Sequence, residues 1–93
     1  MTRYELMTIL NPEIQDEELT GELDRIRKLI ADRGGTDETT EVVGHRRLAY
    51  PIRGKRDGTM VVSRFDMTGE SVNALSATLR SNENRLRTLV TRA

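Results

Sequence analysis

The first apolar segment, residues 3–10, has apolar or β-compatible side chains on both sides of an extended chain. Tyr4, Leu6, Thr8 and Leu10 would lie on one side, and Met7 and Ile9 on the other. A strand with apolar side chains on both faces is typical of the interior of a sheet. The pattern therefore predicts a central strand, which the dipeptide Asn11-Pro12 ends.

Two later stretches carry apolar residues at helical spacing. The first begins at the N-cap candidate Asp16 and stops at Gly34-Gly35, whereas the second begins near Thr68-Gly69-Glu70 and stops in a turn at residues 81–84. The apolar stripes are Leu19, Leu23, Ile26 and Ile30 in the first helix, and Val72, Leu75 and Leu79 in the second. The carboxylates predicted to lie on the solvated side of the first helix are Glu17, Glu18, Glu22 and Asp24.

Three further segments, residues 36–52, 59–67 and 85–92, have the composition of strands. Residues 53–58 predict a flexible basic loop that joins the first two into a hairpin, and Gly44 is a candidate bulge. The order β-α-β-β-α-β predicts one α+β domain over residues 1–93 with the ferredoxin-like fold, a four-stranded antiparallel sheet with both helices on one face. In the usual strand order, fourth-first-third-second, the second strand lies at an edge.

A sheet covered by helices on one side has two faces of different character. The residues predicted for the covered face are Leu6, Leu10, Val61, Phe65, Leu86 and Val90. Those predicted for the open face are Met7, Ile9, Met60, Val62 and Leu89, which is more apolar material than a solvated face needs. We therefore expect a protein partner on the open face. The alternative is that the aliphatic stems of arginine and lysine shield these side chains.

The net charge of zero, from 15 basic and 15 acidic side chains, conceals a division along the chain. Residues 1–41 carry five basic and eleven acidic side chains, whereas residues 42–93 carry ten basic and four acidic ones. This division predicts one acidic and one basic side, with phosphates attracted only to the second. The alternative is that the two halves interleave in space. The chain has no cysteine, no metal-binding or cofactor pattern, no signal pattern and no membrane-length apolar run, which favours the cytosol.

The segment from His45 to Ile52 combines strand-forming residues with features that a buried strand avoids. Pro51 has no N–H for a ladder and is typical of an edge strand. Arg46, Arg47 and Tyr50 could together bind an anionic partner that stacks, such as RNA. An equally good interpretation is a solvated edge in which proline and charge prevent aggregation.

Two other classes of function can be weighed on the same fold. Acyl-phosphate hydrolysis needs a phosphate-binding loop before the first helix, but residues 11–16 are acidic and lack glycine, and His45 is the only histidine. A regulatory or dimeric interaction domain would use the apolar open face. The arginines of the second half and Pro51, which hinders pairing of sheet edges, argue against that alternative.

Three motifs give the chain a close resemblance to the bacterial small-subunit ribosomal protein S6 family. They are Arg3-Tyr4-Glu5, Leu10-Asn11-Pro12 and Arg46-Arg47-Leu48-Ala49-Tyr50-Pro51-Ile52, followed by Asp57-Gly58 and a β-rich strand. The match covers nearly the full length. It implies a non-catalytic, ferredoxin-like protein of the cytoplasmic small ribosomal subunit. It also implies binding to 16S ribosomal RNA together with ribosomal protein S18, in support of central-domain assembly.

The resemblance also indicates the contact residues. The family motifs place Arg46, Arg47 and Tyr50 at the RNA or partner surface, and Arg3 and Tyr4 at the start of the first strand. Arg53, Lys55 and Arg56 match only in loop character, and charge and location add Arg85, Arg87 and Arg92. The chain departs from the family in two respects. It ends at Ala93, where many members continue into a polar tail, and Ser63 occupies a strand position where a larger side chain would pack better.

Overall fold

The computed structural model describes residues 1–52, 54–79 and 85–93, without the side chains of residues 85 and 86. Its elements are β1 (Thr2–Leu10), α1 (Asp16–Asp32), β2 (Thr36–Ile52), β3 (Lys55–Met67), α2 (Gly69–Leu79) and β4 (Arg85–Arg92). The strands form one antiparallel sheet in the order β2-β3-β1-β4. The ferredoxin-like arrangement and the edge position of β2 are therefore confirmed. The turn expected at residues 81–84 lies outside the described residues.

The paired part of the hairpin is longer than the sequence suggested. Residues 55–58, expected in a loop, belong to β3, with Gly58 opposite Arg46 and Asp57 opposite Arg47. β2 itself runs to Ile52, which pairs with Lys55 after a register shift beyond Arg47. The expected bulge is present, since the register shifts between Val42 and Gly44, and Gly44 has a φ of 120°.

The ends of α1 differ in how well the sequence predicted them. Gln15, not Asp16, is the N-cap, with an extended backbone and no side-chain capping bond, and Asp16 is the first of three acidic residues in the first turn. Those carboxylates favour the positive end of the helix dipole. The carboxyl end closes as a Schellman motif, in which Gly34 at a φ of 79° donates to the Ala31 carbonyl and Gly35 to the Ile30 carbonyl.

The core lies between the two helices and the covered face of β1 and β3. The best-buried members, with at most 1% of their surface exposed, include Leu6, Ile26, Ile30, Phe65, Met67, Leu75 and Leu79. Val90 packs against this cluster and is half-buried. Each of these side chains comes from a helix stripe or a strand face with the matching period.

Glu22 corrects the predicted orientation of α1. It is only 4% exposed, although the sequence pattern placed it on the solvated side. The buried row is Glu22, Ile26 and Ile30 at a spacing of four, whereas Leu19 and Leu23 are half-buried beside it. The carboxylate is retained in this position by Arg25, whose Nη1 lies 3.2 Å from Oε1 of Glu22.

Ser63 is buried at 1% exposure and holds the edge strand to its neighbour. Its hydroxyl lies 2.8 Å from the Thr40 hydroxyl, which in turn donates to the Glu38 carboxylate. Ser63 therefore donates to Thr40. A larger apolar residue at this position would remove the bond that the Thr40 hydroxyl accepts, so the small side chain has a polar reason that packing considerations alone do not reveal.

Two glycines of the α1 region test these packing statements. A Cβ at Gly21 would meet no atom within 4 Å, whereas a Cβ at Gly35 would lie 2.4 Å from Cγ2 and 2.8 Å from O of Ile30. Gly21→Ala should therefore raise the free energy of unfolding by about 1 kcal/mol, because alanine favours a helix. Gly35→Ala should lower it by about 1–3 kcal/mol through overpacking. Denaturant melts that gave both variants the same sign would contradict this account.

Candidate functional site

The end of β2 leaves the regular ladder within the family-like motif. After Arg47 pairs with Asp57, the next pair in the register is Ile52 with Lys55, so four residues of β2 face a single residue of β3. Pro51 lies in this interval, where its missing N–H costs no ladder bond. Within this irregular segment, residues 48–51, Leu48 is half-buried, whereas Ala49, Tyr50 and Pro51 are exposed at the free edge of the sheet.

Five exposed side chains lie at or near this end of the hairpin, and we call them the tip cluster: Arg46, Arg47, Tyr50, Arg56 and Arg87. Arg46 is the least central of them, since its Nη1 donates to the His45 carbonyl at 3.0 Å. Arg47, Tyr50 and Arg56 line a shallow depression of about 240 Å³ together with the irregular segment. All five are exposed. Among the described residues, no carboxylate lies within ion-pair distance of any arginine of the tip cluster.

Tyr50 connects the hairpin to the opposite edge of the sheet. Nη1 of Arg87, on β4, donates to the Tyr50 hydroxyl at 2.5 Å, although 37 residues separate them in the chain. The hairpin also approaches the open face at Gly58, where a Cβ would lie 2.3 Å from Cγ2 of Ile9. The sequence analysis predicted Tyr50 and Arg87 as separate contacts, and the fold brings them together.

Two of the predicted cationic contacts already have carboxylate partners. Nη1 of Arg3 lies 3.1 Å from Oδ2 of Asp37 and 3.5 Å from Oδ1 of Asp66. Nζ of Lys55 lies 3.3 Å from Oε1 of Glu13. These pairs reduce the positive charge that Arg3 and Lys55 offer to an anion, so neither belongs to the tip cluster.

The remaining predicted contacts fall into three groups. Arg92 is exposed near the end of β4, away from the hairpin. Arg53 lies outside the described residues, and for Arg85 only the backbone is described, opposite Leu10. Tyr4 is only 8% exposed, and its ring centroid lies 6.4 Å from that of Phe65 in the core. Its ring therefore cannot stack on a base.

The open face is less exposed than the sequence predicted. Met7 lies between Val62 and Leu89 in the ladder, and Ile9 lies between Met60 and Arg87. Ile9 and Val62 are buried by the chain itself, and Met7 and Met60 are half-buried, so only Leu89 at 45% is prominently exposed. A hollow of about 230 Å³ lined by Met7, Ile9, Arg87 and Leu89 remains.

The charge division of the sequence does not become two sides of the molecule. Acidic residues of the first half pair with basic residues of the second across the sheet. The pairs are Arg64 with Glu5 at 3.0 Å, Arg64 with Glu41 at 3.8 Å and Lys55 with Glu13 at 3.3 Å. The prediction of a whole basic side is therefore wrong, although the tip cluster holds four arginines that have no such partner among the described residues.

His45 and the carboxylates of the described residues are the candidate catalytic groups and metal ligands. Nε2 of His45 lies 3.6 Å from Oδ2 of Asp57, and both side chains are about half exposed. No group of three or more potential metal ligands occurs among the described residues. The two described helices are also too short or too polar to cross a membrane.

Comparisons with known proteins agree with this geometry. The family model for Ribosomal protein S6 matches residues 3–92. Small ribosomal subunit protein bS6 of Leifsonia xyli subsp. xyli is 38% identical over 93 residues, which are all of this chain and 73% of that protein. The bS6 protein of Pseudarthrobacter chlorophenolicus is 37% identical over 99% of this chain and 91% of its own length.

Among solved structures, the 30S ribosomal protein S6 of Thermotoga maritima superposes with a TM-score of 0.91. It is 28% identical in sequence and covers 99% of this chain and 87% of its own. The family model and the full-length relatives agree with one another and with the fold. The chain therefore belongs to the ribosomal protein S6 family, a non-enzymatic family of the cytoplasmic small ribosomal subunit.

Proposed function

We propose that this chain binds 16S ribosomal RNA together with ribosomal protein S18 and thereby supports assembly of the central domain of the small subunit. The observation that carries this proposal is the tip cluster, in which exposed arginines without carboxylate partners among the described residues surround a tyrosine. Family membership supplies the ribosomal context. The proposal assigns the tip cluster to RNA and the apolar hollow to the protein partner.

The tip cluster is suited to phosphates rather than to the reading of bases. A guanidinium group donates two parallel hydrogen bonds to phosphate oxygens. The chain has three aromatic residues, and two of them, Tyr4 and Phe65, are buried in the core. Only Tyr50, at 57% exposure, offers a ring to RNA. Recognition therefore depends on shape and backbone charge, with at most one stacked base or sugar.

The open face is suited to a protein partner of limited footprint. Leu89 is exposed beside the half-buried Met7, and the two line the hollow with Ile9. The stem of Arg87 forms part of the same wall, and its guanidinium reaches Tyr50 of the tip cluster. S18 seated in the hollow would thus lie next to the bound RNA, which accounts for a joint complex of the three components.

The first prediction concerns the arginines of the edge strand. The double variant Arg46→Ala, Arg47→Ala should bind a central-domain fragment of 16S RNA about tenfold to a hundredfold more weakly, because two phosphate contacts are lost. If the unmodified chain neutralises roughly three to five phosphates, the slope of log affinity against log salt is about −2 to −4, and the variant should lose about 2.

The matched control is Lys28→Ala, Arg33→Ala, which removes the same charge from exposed positions in and after α1. It should leave RNA affinity within about twofold, since exposed charges farther apart than a Debye length of roughly 10 Å are screened. Both variants should unfold like the unmodified chain. Undiminished binding of RNA and S18 by the edge-strand variant, or its unfolding, would refute the assignment.

The second prediction concerns the hollow. Leu89→Glu should weaken binding of S18 about tenfold or more in calorimetry, because a charge would be buried at an apolar contact. Val42→Glu is the control, since Val42 is similarly exposed at 41% but pairs with Val61 on the covered side of the sheet. If both variants bound S18 equally well, the hollow would not be the partner site.

A further inference from the structure

A second concave site lies far from the tip cluster, between α2 and the free edge of β4. This groove has a volume of about 480 Å³. One wall consists of α2 residues at helical spacing, Gly69, Asn73 and Ser76, and the other of β4 from Thr88 to Arg92. β4 pairs with β1 alone, so the groove follows an edge that no other described strand covers.

The hydroxyl of Tyr4 opens into this groove. The residue is more than nine-tenths buried and its ring packs on Phe65, yet it lines the groove. The hydroxyl makes no hydrogen bond to any residue that the structure describes. It lies beside Gly69, where a Cβ would be in van der Waals contact with it at 3.4 Å, so the hydroxyl is next to the first residue of α2. A nearly buried tyrosine normally finds a partner for its hydroxyl, and here the groove is the place for one.

Two positive features surround the hydroxyl. Arg92 pairs directly with Tyr4 in the β1–β4 register, so both side chains lie on the same face, and the guanidinium has no carboxylate partner among the described residues. The amino terminus of α2 also begins here. Thr68 caps the Ser71 amide through its hydroxyl at 3.3 Å, which leaves the Gly69 and Glu70 amides for another acceptor.

The residues that line the groove around the Tyr4 hydroxyl determine the electrostatic character of this part of the surface. The Tyr4 hydroxyl, the Arg92 side chain, Asn73 and the first residue of α2 all line the same groove, and the amino terminus of a helix carries partial positive charge. No carboxylate occurs among the lining residues that the structure describes, and Glu70, in the first turn of α2, lies outside the lining. The arrangement fits a small oxyanion better than a cation or an apolar group.

We propose that this corner, formed by Tyr4, Gly69, Asn73 and Arg92, binds a phosphate group of the RNA backbone. The choice of RNA as the source of the phosphate rests on the proposed function of the chain. Tyr4 lies six residues from Leu10, or about 20 Å along β1, from the end of the sheet that carries the hairpin. The corner is therefore a second contact, which would fix the orientation of the protein on RNA that the tip cluster already holds.

The first test uses inorganic phosphate and the free protein, so it does not depend on RNA binding. Amide nitrogen–proton spectra should show saturable shifts at Gly69 and Glu70 as phosphate is added, with chloride at equal ionic strength as the reference. Tyr4→Phe retains the ring and should weaken this binding about threefold to tenfold, and Arg92→Gln about tenfold. Tyr50→Phe removes the other tyrosine hydroxyl and should leave these shifts unchanged. Absence of saturable shifts, or equal binding by Tyr4→Phe, would overturn the site.

The second test asks whether RNA supplies the phosphate. The variant Tyr4→Phe, Arg92→Gln should bind the 16S fragment a few-fold more weakly and reduce the salt slope by about 1, with an unchanged melting midpoint. Unchanged RNA affinity and slope would overturn the assignment to RNA. The edge-strand arginine variant should lose RNA affinity but retain the phosphate shifts at Gly69, so failure of the tip cluster is measured separately from failure of this corner.

Discussion

The protein depends on a sheet that has helices on one face only. The two central strands, β1 and β3, bury Leu6 and Phe65 beneath α1 and α2, and this contact supplies most of the apolar burial that opposes chain entropy. The other face must then be made compatible with water by side chains alone. Toward one end of this open face, β1 and β3 carry the ion pairs of Arg3 with Asp66 and of Glu5 with Arg64. Toward the other end they carry apolar residues. The position of the hollow follows from that division.

The edge strand resolves a conflict between stability and function. A fully paired β2 would be more regular, but its side chains would alternate between the two faces and could not gather on one surface. By leaving the ladder at residues 48–51, the strand gives up backbone bonds at an edge where water can replace them, and Pro51 has no bond to lose. In return, Tyr50 reaches Arg87 across the open face. The same departure from regular pairing thus creates the depression and joins it to the hollow.

The sequence predicted the elements well because each depends on local periodicity. Strand order and the edge position of Pro51 followed from them, since few arrangements of six such elements are possible. The sequence did not predict which side chains pair with one another across the fold. No residue near Arg3 or Lys55 in the sequence indicates that they pair with Asp37 and Glu13, because those contacts depend on register across the fold. The burial of Glu22 likewise depends on how α1 packs against the rest of the fold. Tyr4 shows the same limit, since the parity that placed it with Leu6 argued for burial while the motif argued for exposure.

The ion pairs explain how a chain of zero net charge can present a localised positive field. A surface ion pair contributes about 0–1 kcal/mol to stability, so pairing Arg64 with Glu5 adds little to the fold. Its larger effect is on the electrostatic potential around the protein. A phosphate farther away than the Debye length of about 8–10 Å is attracted only weakly by a cation that is paired with a carboxylate. Arginines without such partners, as in the tip cluster, keep their full attraction. Acidic residues elsewhere therefore sharpen recognition, because they confine attraction for RNA to surfaces where geometry can also be matched.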